Sequence, residues 1–433
     1  MSDGPEPDEQ TSIDGGGAGE ETEPAWQWTL YACWIAQLMS IIGFSFVMPF
    51  MPLYVRELGV VGIAQVALWS GLVITASGLT QALMAPVWGA LADRYGRKIM
   101  VQRAMFGGAV VLTAMAFAGN IWHLLALRAL QGCLTGTNVA STTLVASITP
   151  NGRLGYSLGM MQVAVLMGIT IGPLFGGLMA DAWGYRIPFI GAGLLLLIGG
   201  IIVRYLTHEN FCPPDRETAQ NHGLQRAFGR KGVIALMGAF LMLSLSASFV
   251  GPIFPLLVEQ ISGTARVAST AGLLLAISGF AAGLSALAIG LLGDRVGHKL
   301  ILVTCTVGSA IFSAPHAIAQ SVGQLAILRL GMGITRGGTM PSLNAIVAQA
   351  VSADTYGRAF GNTRVAGALG MAIGPMMGGF AAAHLGLRWP FVIMSGLLVL
   401  SAILIAVWVR PTINGAQEQP SGETEGGDSE AAT

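Results

Sequence analysis

The chain has 433 residues, of which 53% are apolar and only 10% are charged, and its mean hydropathy is +0.66. Soluble proteins carry about 25% charged residues. The composition therefore excludes a disordered protein, a nucleic-acid-binding protein and most soluble enzymes. It predicts an all-α membrane protein with many transmembrane helices in a lipid bilayer.

The charges divide the chain into a basic body and two acidic tails. Residues 1–24 contain eight carboxylates and residues 412–433 contain five, and neither segment contains Lys or Arg. Because both ends are also rich in Gly, Ser and Pro, we predict disordered acidic tails over 1–25 and 411–433. The four cysteines show no metal-binding spacing, so we expect neither a metal nor a cofactor.

Apolar stretches close to the length of a membrane-crossing helix, about 20 residues, recur along the body. We number them spans 1 to 12. They are too long for the strands of a transmembrane barrel. The predicted spans are 29–54, 66–88, 99–118, 121–148, 158–180, 187–205, 233–258, 268–291, 300–320, 324–350, 359–383 and 390–409.

The basic residues predict how these spans are oriented. With the N-terminus in the cytoplasm, fourteen Lys and Arg lie in cytoplasmic loops and four lie outside, and four more fall within spans. The positive-inside rule then places both termini in the cytoplasm. We expect a multi-pass protein of the inner (plasma) membrane. The polar stretch 206–232 is the predicted linker between two six-helix bundles, 26–205 and 233–410.

Five short motifs of the first bundle recur in the second at an offset of 201 to 203 residues, which predicts two bundles related by an internal repeat. Such repeats are typical of one large class of secondary transporters. The first members of the five pairs are Gly89-x3-Asp93-Arg94, Leu127-Arg128-x3-Gly132, Gly168-x3-Gly172-Pro173, Gly184-x-Arg186-x-Pro188 and Phe46-Val47-x-Pro49.

These motifs carry a family resemblance. The stretch from Gly89 to Lys98, GALADRYGRK, resembles the loop 2–3 signature of the major facilitator superfamily. Residues 124–132 resemble its fourth-helix arginine motif, and residues 168–177 resemble the fifth-helix motif associated with exporters. The run 44–55 is similar to bacterial twelve-helix multidrug and tetracycline efflux proteins. The resemblance implies a drug:proton antiporter that exports small amphiphiles by alternating access, and no enzyme.

The loop signature supplies candidate gating residues. The resemblance places Asp93 near the N-terminus of span 11, around 357–361, where the helix dipole favours a carboxylate. That contact would hold the two bundles together on the cytoplasmic side, and a weaker counterpart from the second bundle would meet span 5. The alternative is a solvated basic loop that only fixes the topology. The candidates are Gly89, Asp93, Arg94, Gly96, Arg97, Lys98, Asp294 and Arg295.

The exporter motif of span 5 places glycines on one helix face, with a proline that kinks the helix. Such a face lets a neighbouring helix approach closely and bend or slide. The alternative is tight packing with no role in the direction of transport. Its residues are Gly168, Gly172, Pro173, Gly176 and Gly177.

Four arginines fall inside predicted spans, whereas every carboxylate of the body lies near a membrane face. An intramembrane charge is costly and usually faces the bundle interior or a wet cavity. The sequence departs here from many drug:proton antiporters, which carry an acidic residue in the first or fourth helix; the nearest polar residue of span 1 is Gln37. The candidate cavity or coupling residues are Gln37, Arg128, Arg329, Arg336 and Arg364.

A cavity with arginines and no carboxylate favours neutral or anionic amphiphiles over cations. The sequence does not decide which residue carries the proton; the candidates are Glu57, Glu259, Asp93, His123 and His316. Arg128 and Arg329 have helix packing as their alternative role, while Arg336 and Arg364 lack counterparts in the first bundle, which favours contact with substrate.

Other functions remain open at this stage. One alternative is a facilitator or symporter of organic anions without an efflux role. Another is a scaffold or intramembrane enzyme, although no HExxH, GxSG or nucleotide-binding motif is present. Since both bundles lie in one chain, we expect a monomer whose partners are a small-molecule substrate, protons and lipid.

Overall fold

The computed structural model describes residues 24–209, 223–263, 266–349 and 356–408. All regular secondary structure in these ranges is helical, which confirms the all-α fold. Residues 1–23 and 411–433 of the acidic tails lie outside the described residues, so the predicted disorder of the tails stays a prediction. Residues 210–222 of the predicted linker also lie outside them, and its last ten residues belong to the helix that begins at Gly223.

The first bundle follows spans 1 to 6, and two of these spans are broken. Pro49 and Pro52 lie at the starts of the new segments in span 1, where a missing backbone N–H is tolerated. Gly136, with φ of 128°, separates the two parts of span 4. The helices are Pro24–Val47 with Met48–Phe50 and Met51–Glu57, Ile63–Tyr95, Arg97–Met115, Ile121–Leu134 with Thr137–Ile148, Leu154–Trp183, and Ile187–Leu206.

The second bundle repeats this pattern, with breaks at the repeat-related places in spans 7 and 10. The helices are Gly223–Phe249 with Phe254–Ser262, Val267–Val296, His298–Ser313 with Ala314–Ala317, Val322–Gly337 with Thr339–Gln349, Tyr356–Leu385, and Trp389–Trp408.

Within the described ranges, nine spans are long and apolar enough to cross a membrane on their own, so the chain is a multi-pass membrane protein. Spans 4 and 10 do not qualify because each is split into two short helices. Span 3 begins with Arg97 and Lys98. The full count of twelve crossings therefore stays a prediction for these three spans.

The bundle has two ends, which we name by the chain. The tail face is the end where the described chain enters at Pro24 and leaves at Trp408; the far face is the opposite end. At the tail face a single glycine joins span 2 to span 3, and another joins span 8 to span 9. Gly96 and Gly297 both have φ of 93°, a conformation that costs little only for glycine.

Candidate functional site

The two bundles touch along span 2 against span 11 and span 5 against span 8. In the far-face halves of these helices, the backbones of the two bundles are in direct contact. A Cβ atom on Gly71 would lie 2.5 Å from the Pro375 carbonyl oxygen, and one on Gly272 would clash with the Pro173 carbonyl. These two contacts join repeat-related residues, because Gly71 and Gly272 are equivalent and so are Pro173 and Pro375. The interface therefore has approximate two-fold symmetry.

A second symmetric pair lies nearer the far face. Gly177 packs against the backbone of Ala268, and its repeat equivalent Gly379 packs against the backbone of Ala67. The Thr75 hydroxyl also accepts a hydrogen bond from the Met376 backbone N–H across the interface, at 3.1 Å. Small residues allow this close approach of helices, which hydrophobicity alone does not drive in a membrane.

Asp181, at the far-face end of span 5, binds the N-terminus of span 8. Its carboxylate accepts the backbone N–H groups of Ala268 at 3.2 Å and Ser269 at 2.7 Å, and also the Ser269 hydroxyl. The first amides of a helix lack partners within the helix, and the helix dipole favours negative charge there. Burial, reinforced by the charge of Asp181, raises the pKa of nearby Tyr185, so its phenol stays neutral.

An ion pair also bridges the bundles at the far face. Arg56 Nη1 donates to Glu259 Oε1 at 2.6 Å, and both side chains are partly exposed. The two residues are 203 positions apart, the same offset that relates spans 1 and 7, so opposite charges occupy equivalent positions beside the two-fold axis. A second pair, Arg186 with Glu57 at 3.0 Å, lies within the first bundle. We call the bridging contacts of Asp181, Arg56 and the four glycines the far-face closure.

At the tail face the same helices stand apart. A Cβ atom at Gly89 of span 2, or at Gly155 or Gly290 of spans 5 and 8, would meet no atom within 4 Å. Ala85, Pro86 and Val87 are all exposed. The side chains of consecutive helical residues point about 100° apart, so these three exposed side chains cannot all face lipid. The described arrangement is closed at the far face and open at the tail face.

The candidate gating residues lie at this open face. Asp93, Arg94 and Arg295 are exposed, and Asp93 forms no ion pair with the described residues. The side chains of 357–361 and of Asp294 lie outside the described residues, so the predicted contact with span 11 and its counterpart stay predictions.

Part of the loop signature has a local role that the sequence analysis missed. Lys98 Nζ donates to the Thr207 carbonyl at the end of span 6, at 2.6 Å. Its equivalent Lys299 donates to the Ala406 carbonyl in the last turn of span 12. Cations stabilise helix C-termini. Glu209 in turn accepts the backbone N–H groups of Arg97 and Lys98 at 2.9 and 2.7 Å, which ties the start of the linker to span 3.

The exporter-motif residues contact two different partners. Gly168, Gly172 and Gly176 pack against span 1, at Ile41, Ser45 and Phe46, inside the first bundle. Pro173 and Gly177 instead meet span 8 of the second bundle. One motif therefore serves both packing within a bundle and contact between bundles.

A cavity of about 210 Å³, lined by both polar and apolar side chains, lies between spans 1, 2 and 4 about midway along the first bundle. Arg128 is 3% exposed; its Nη1 donates to Gln131 Oε1 at 2.9 Å, and its Nε has no partner among the described residues. Gln37 lies nearby and donates to Asn138 at 3.0 Å, which links spans 1 and 4. The lining residues are Ile41, Phe44, Met48, Ser77, Gln81, Arg128, Gln131, Thr135, Gly136, Thr137 and Asn138.

The arginines of the second bundle are placed differently. Arg329, the equivalent of Arg128, is buried with its guanidinium 3.6 Å from the centroid of the Phe254 ring. In the first bundle the equivalent of Phe254 is Met51, whose sulfur lies 3.9 Å from Arg128. Arg336 is half-buried in span 10, and its side chain makes no hydrogen bond with the described residues. The Arg364 side chain lies outside them.

The sequence analysis singled out Gln37 and Arg128 but missed Gln81, Gln131 and Asn138 of the cavity. It also left Asp181 and the Arg56–Glu259 pair out of its gating residues. A signal for the pair was available, because opposite charges stand at equivalent repeat positions at the far-face ends of spans 1 and 7.

Comparison with known proteins agrees with this architecture. A family model described as Major Facilitator Superfamily matches residues 33–244 and 235–431. Multidrug resistance protein MdtG of Citrobacter koseri is 34% identical over 383 residues, which cover 87% of this chain and 94% of that protein. MdtG of Klebsiella pneumoniae is 33% identical over 393 residues, covering 90% and 95%.

Solved structures share the fold. A bacterial homolog of the human lysosomal transporter Spinster, in an inward-facing and occupied conformation, aligns with a TM-score of 0.74 at 15% identity, over 90% of this chain and 98% of that one. The human organic anion transporter MFSD10 aligns with a TM-score of 0.66 at 19% identity, over 88% and 100%. By its family model, its repeat and its sequence relatives, the chain belongs to the Major Facilitator Superfamily.

Proposed function

We propose that this protein is a proton-coupled multidrug exporter that moves small neutral or anionic amphiphiles out of the cell by alternating access. The observation that carries the proposal is the pairing of a closed far face with the cavity of the first bundle and an open tail face. With both termini in the cytoplasm, this arrangement loads substrate from inside the cell. The relatives named multidrug resistance proteins support the efflux direction.

The proposed preference for neutral or anionic compounds follows from the cavity charge. Arg128 lines it, and the sequence has no carboxylate near mid-membrane depth that would neutralise this guanidinium. A lipophilic cation entering the cavity would be repelled, since like charges at low dielectric interact strongly. Transport rather than catalysis is the proposed activity, and one chain supplies both bundles, so the proposed unit is a monomer in the inner membrane.

Proton coupling needs a titratable group. The described carboxylates at the two ends of the bundle include Asp93 at the tail face and Glu57, Asp181 and Glu259 at the far face. His316 is another candidate; it is buried, stacked on Phe391, and its Nε2 has no partner among the described residues. The absence of a mid-membrane carboxylate favours a second candidate function, a facilitator of organic anions that runs down its own gradient.

The first test separates these two functions. The purified protein in liposomes is given an imposed pH gradient and one anionic, one neutral and one cationic fluorescent drug. We expect the anionic and neutral drugs to move opposite to the proton gradient and the cation to move least. Liposomes without protein are the control. Flux that ignores the pH gradient supports the facilitator, and preference for the cation contradicts the charge argument.

A second prediction concerns the gating loop. We expect Asp93→Asn to reduce export by about tenfold or more, because a carboxylate at a helix N-terminus contributes up to ~2 kcal/mol and the predicted contact with span 11 would be lost. Export in vesicles and protein level in the membrane are measured together. Asp294→Asn, the repeat equivalent, is the matched control and should have a weaker effect. Unchanged export for Asp93→Asn would contradict a gating role.

A further inference from the structure

The internal repeat allows the two sides of the substrate path to be compared position by position, and they differ in polarity. Gln37, Gln81 and Gln131 of the first bundle correspond to Phe240, Ala282 and Met332 of the second. Two-fold-related positions lie at similar depth in the two bundles, so at three positions the first bundle has an amide where the second has an apolar side chain.

The two repeat-related arginines also differ in the polarity of their neighbours, because Arg128 contacts an amide and Arg329 contacts an aromatic ring. Arg128 lines the 210 Å³ cavity, held there through Nη1 by Gln131, with a buried Nε that has no partner among the described residues. Arg329 instead covers the Phe254 ring, and its Nε likewise has no partner among the described residues; Met332 stands where the first bundle has the glutamine that orients Arg128. A buried N–H without an acceptor is costly, and at Arg128 a ligand that enters the adjoining cavity can supply the acceptor.

The size of the cavity limits what can enter it. Pockets that bury whole drug-sized ligands measure about 300–1,000 Å³, and this one measures about 210 Å³. It accommodates a head group and not a whole amphiphile, so the rest of the molecule must extend out of it. At the corresponding positions of the second bundle, Ala282, Met332 and Met340 replace the amides Gln81, Gln131 and Asn138, whereas Ser278 and Thr339 keep the hydroxyl groups of Ser77 and Thr137.

From these observations we infer that the protein binds amphiphiles in one fixed orientation. An acidic head group enters the cavity of the first bundle against Arg128 and the Gln131 and Gln81 amides, and the apolar body lies toward the second bundle. This inference rests on the proposed export of amphiphiles and adds the orientation and the residues that select the head group. Arg128 is the anion-binding residue, Gln131 is its positioning residue, and Arg329 is a packing residue.

Arg336 is a second arginine of the second bundle that bears on this orientation. It corresponds to Thr135, which lines the cavity, and it brings a positive charge to span 10. If Arg336 and not Arg128 bound the acidic head, the orientation would be reversed. The experiment therefore includes a variant of each arginine.

The test uses two probes with the same apolar body, dansyl-labelled undecanoic acid and its primary amide. Binding to the purified protein is followed by dansyl fluorescence, and export is followed in liposomes. We expect the wild type to prefer the acid, and Arg128→Gln to reduce that preference by about tenfold to a hundredfold, as loss of a charge-assisted hydrogen bond does. Arg329→Gln and Arg336→Gln should keep the acid-to-amide ratio.

An exchange of repeat-related residues guards against variants that fail to fold. Gln131→Met gives the first bundle the residue of the second, and Met332→Gln does the reverse; the two are similar in volume. Gln131→Met should lower the acid-to-amide ratio and Met332→Gln should leave it unchanged. Loss of the ratio in Arg336→Gln, or its retention in both Arg128→Gln and Gln131→Met, overturns the inference. A wild type that binds the acid but exports neither probe contradicts the proposed function and leaves the orientation supported.

Discussion

Gly177→Ala is expected to open the far face and to lower transport by about tenfold. The added Cβ would meet the Ala268 carbonyl oxygen and carbon, which are backbone atoms and cannot rotate away. Overpacking of this kind costs about 1–3 kcal/mol, and each 1.4 kcal/mol is about a tenfold change in an equilibrium. Because the contact exists only when the two bundles are together at the far face, the cost applies to that arrangement alone and shifts the population toward the opposite one.

Gly176→Ala is the matched control for this prediction. Its Cβ would meet the Phe46 carbonyl oxygen at the same distance, but Phe46 belongs to the same bundle. It should therefore lower thermal stability without changing the balance between arrangements. Spin labels at Val61 and Ile318, both exposed at the far face on different bundles, report the separation by pulsed EPR. A lengthened distance in both variants, or in neither, would contradict the assignment of Gly177 to the interface between bundles.

The fold was largely predictable from the sequence because its signals are local. Apolar runs set the spans, and glycine at 96 and 297 marks the turns, since only glycine adopts the required φ easily. None of the breaks within spans was predicted, although those in spans 1 and 7 coincide with proline pairs that recur at the repeat offset. The breaks in spans 4 and 10 were missed, because Gly136 and Gly338 stand in helical patterns with many other glycines and nothing local distinguishes them.

The site was less predictable because its residues come together only through the packing of the two bundles. Lys98 belongs to the predicted gating loop, and its contact with the carbonyl end of span 6 could not be read from its own segment. Asp181 follows the exporter motif by one turn, but nothing in its own segment indicates the start of span 8. The repeat offset itself holds usable information: it pairs Arg56 with Glu259, and it reveals that Arg128 and Arg329 have different neighbours at 131 and 332.

The second prediction with a large expected effect concerns Asp181. Asp181→Asn removes the negative charge that binds the first backbone amides of span 8. The side-chain NH2 group of the asparagine would then face backbone N–H groups, which are also donors. Hydrogen bonds to charged groups contribute about 1.5–3 kcal/mol, and partial exposure of Asp181 lowers this toward about 1 kcal/mol. We therefore expect the far face to open in about five- to tenfold more of the molecules, measured as a longer Val61–Ile318 distance, with slower return to the arrangement that is open at the tail face.

Two neighbouring ion pairs provide a sharper comparison for the same face. Glu259→Gln breaks the pair with Arg56 that bridges the bundles, whereas Glu57→Gln breaks the pair with Arg186 inside the first bundle; the four side chains are similarly exposed. Each pair should contribute less than about 1 kcal/mol, so neither variant should unfold the protein. Only Glu259→Gln should add to the effect of Asp181→Asn on the far-face distance. An equal contribution from Glu57→Gln would mean that the general charge of this face, and not contact between the bundles, keeps it closed.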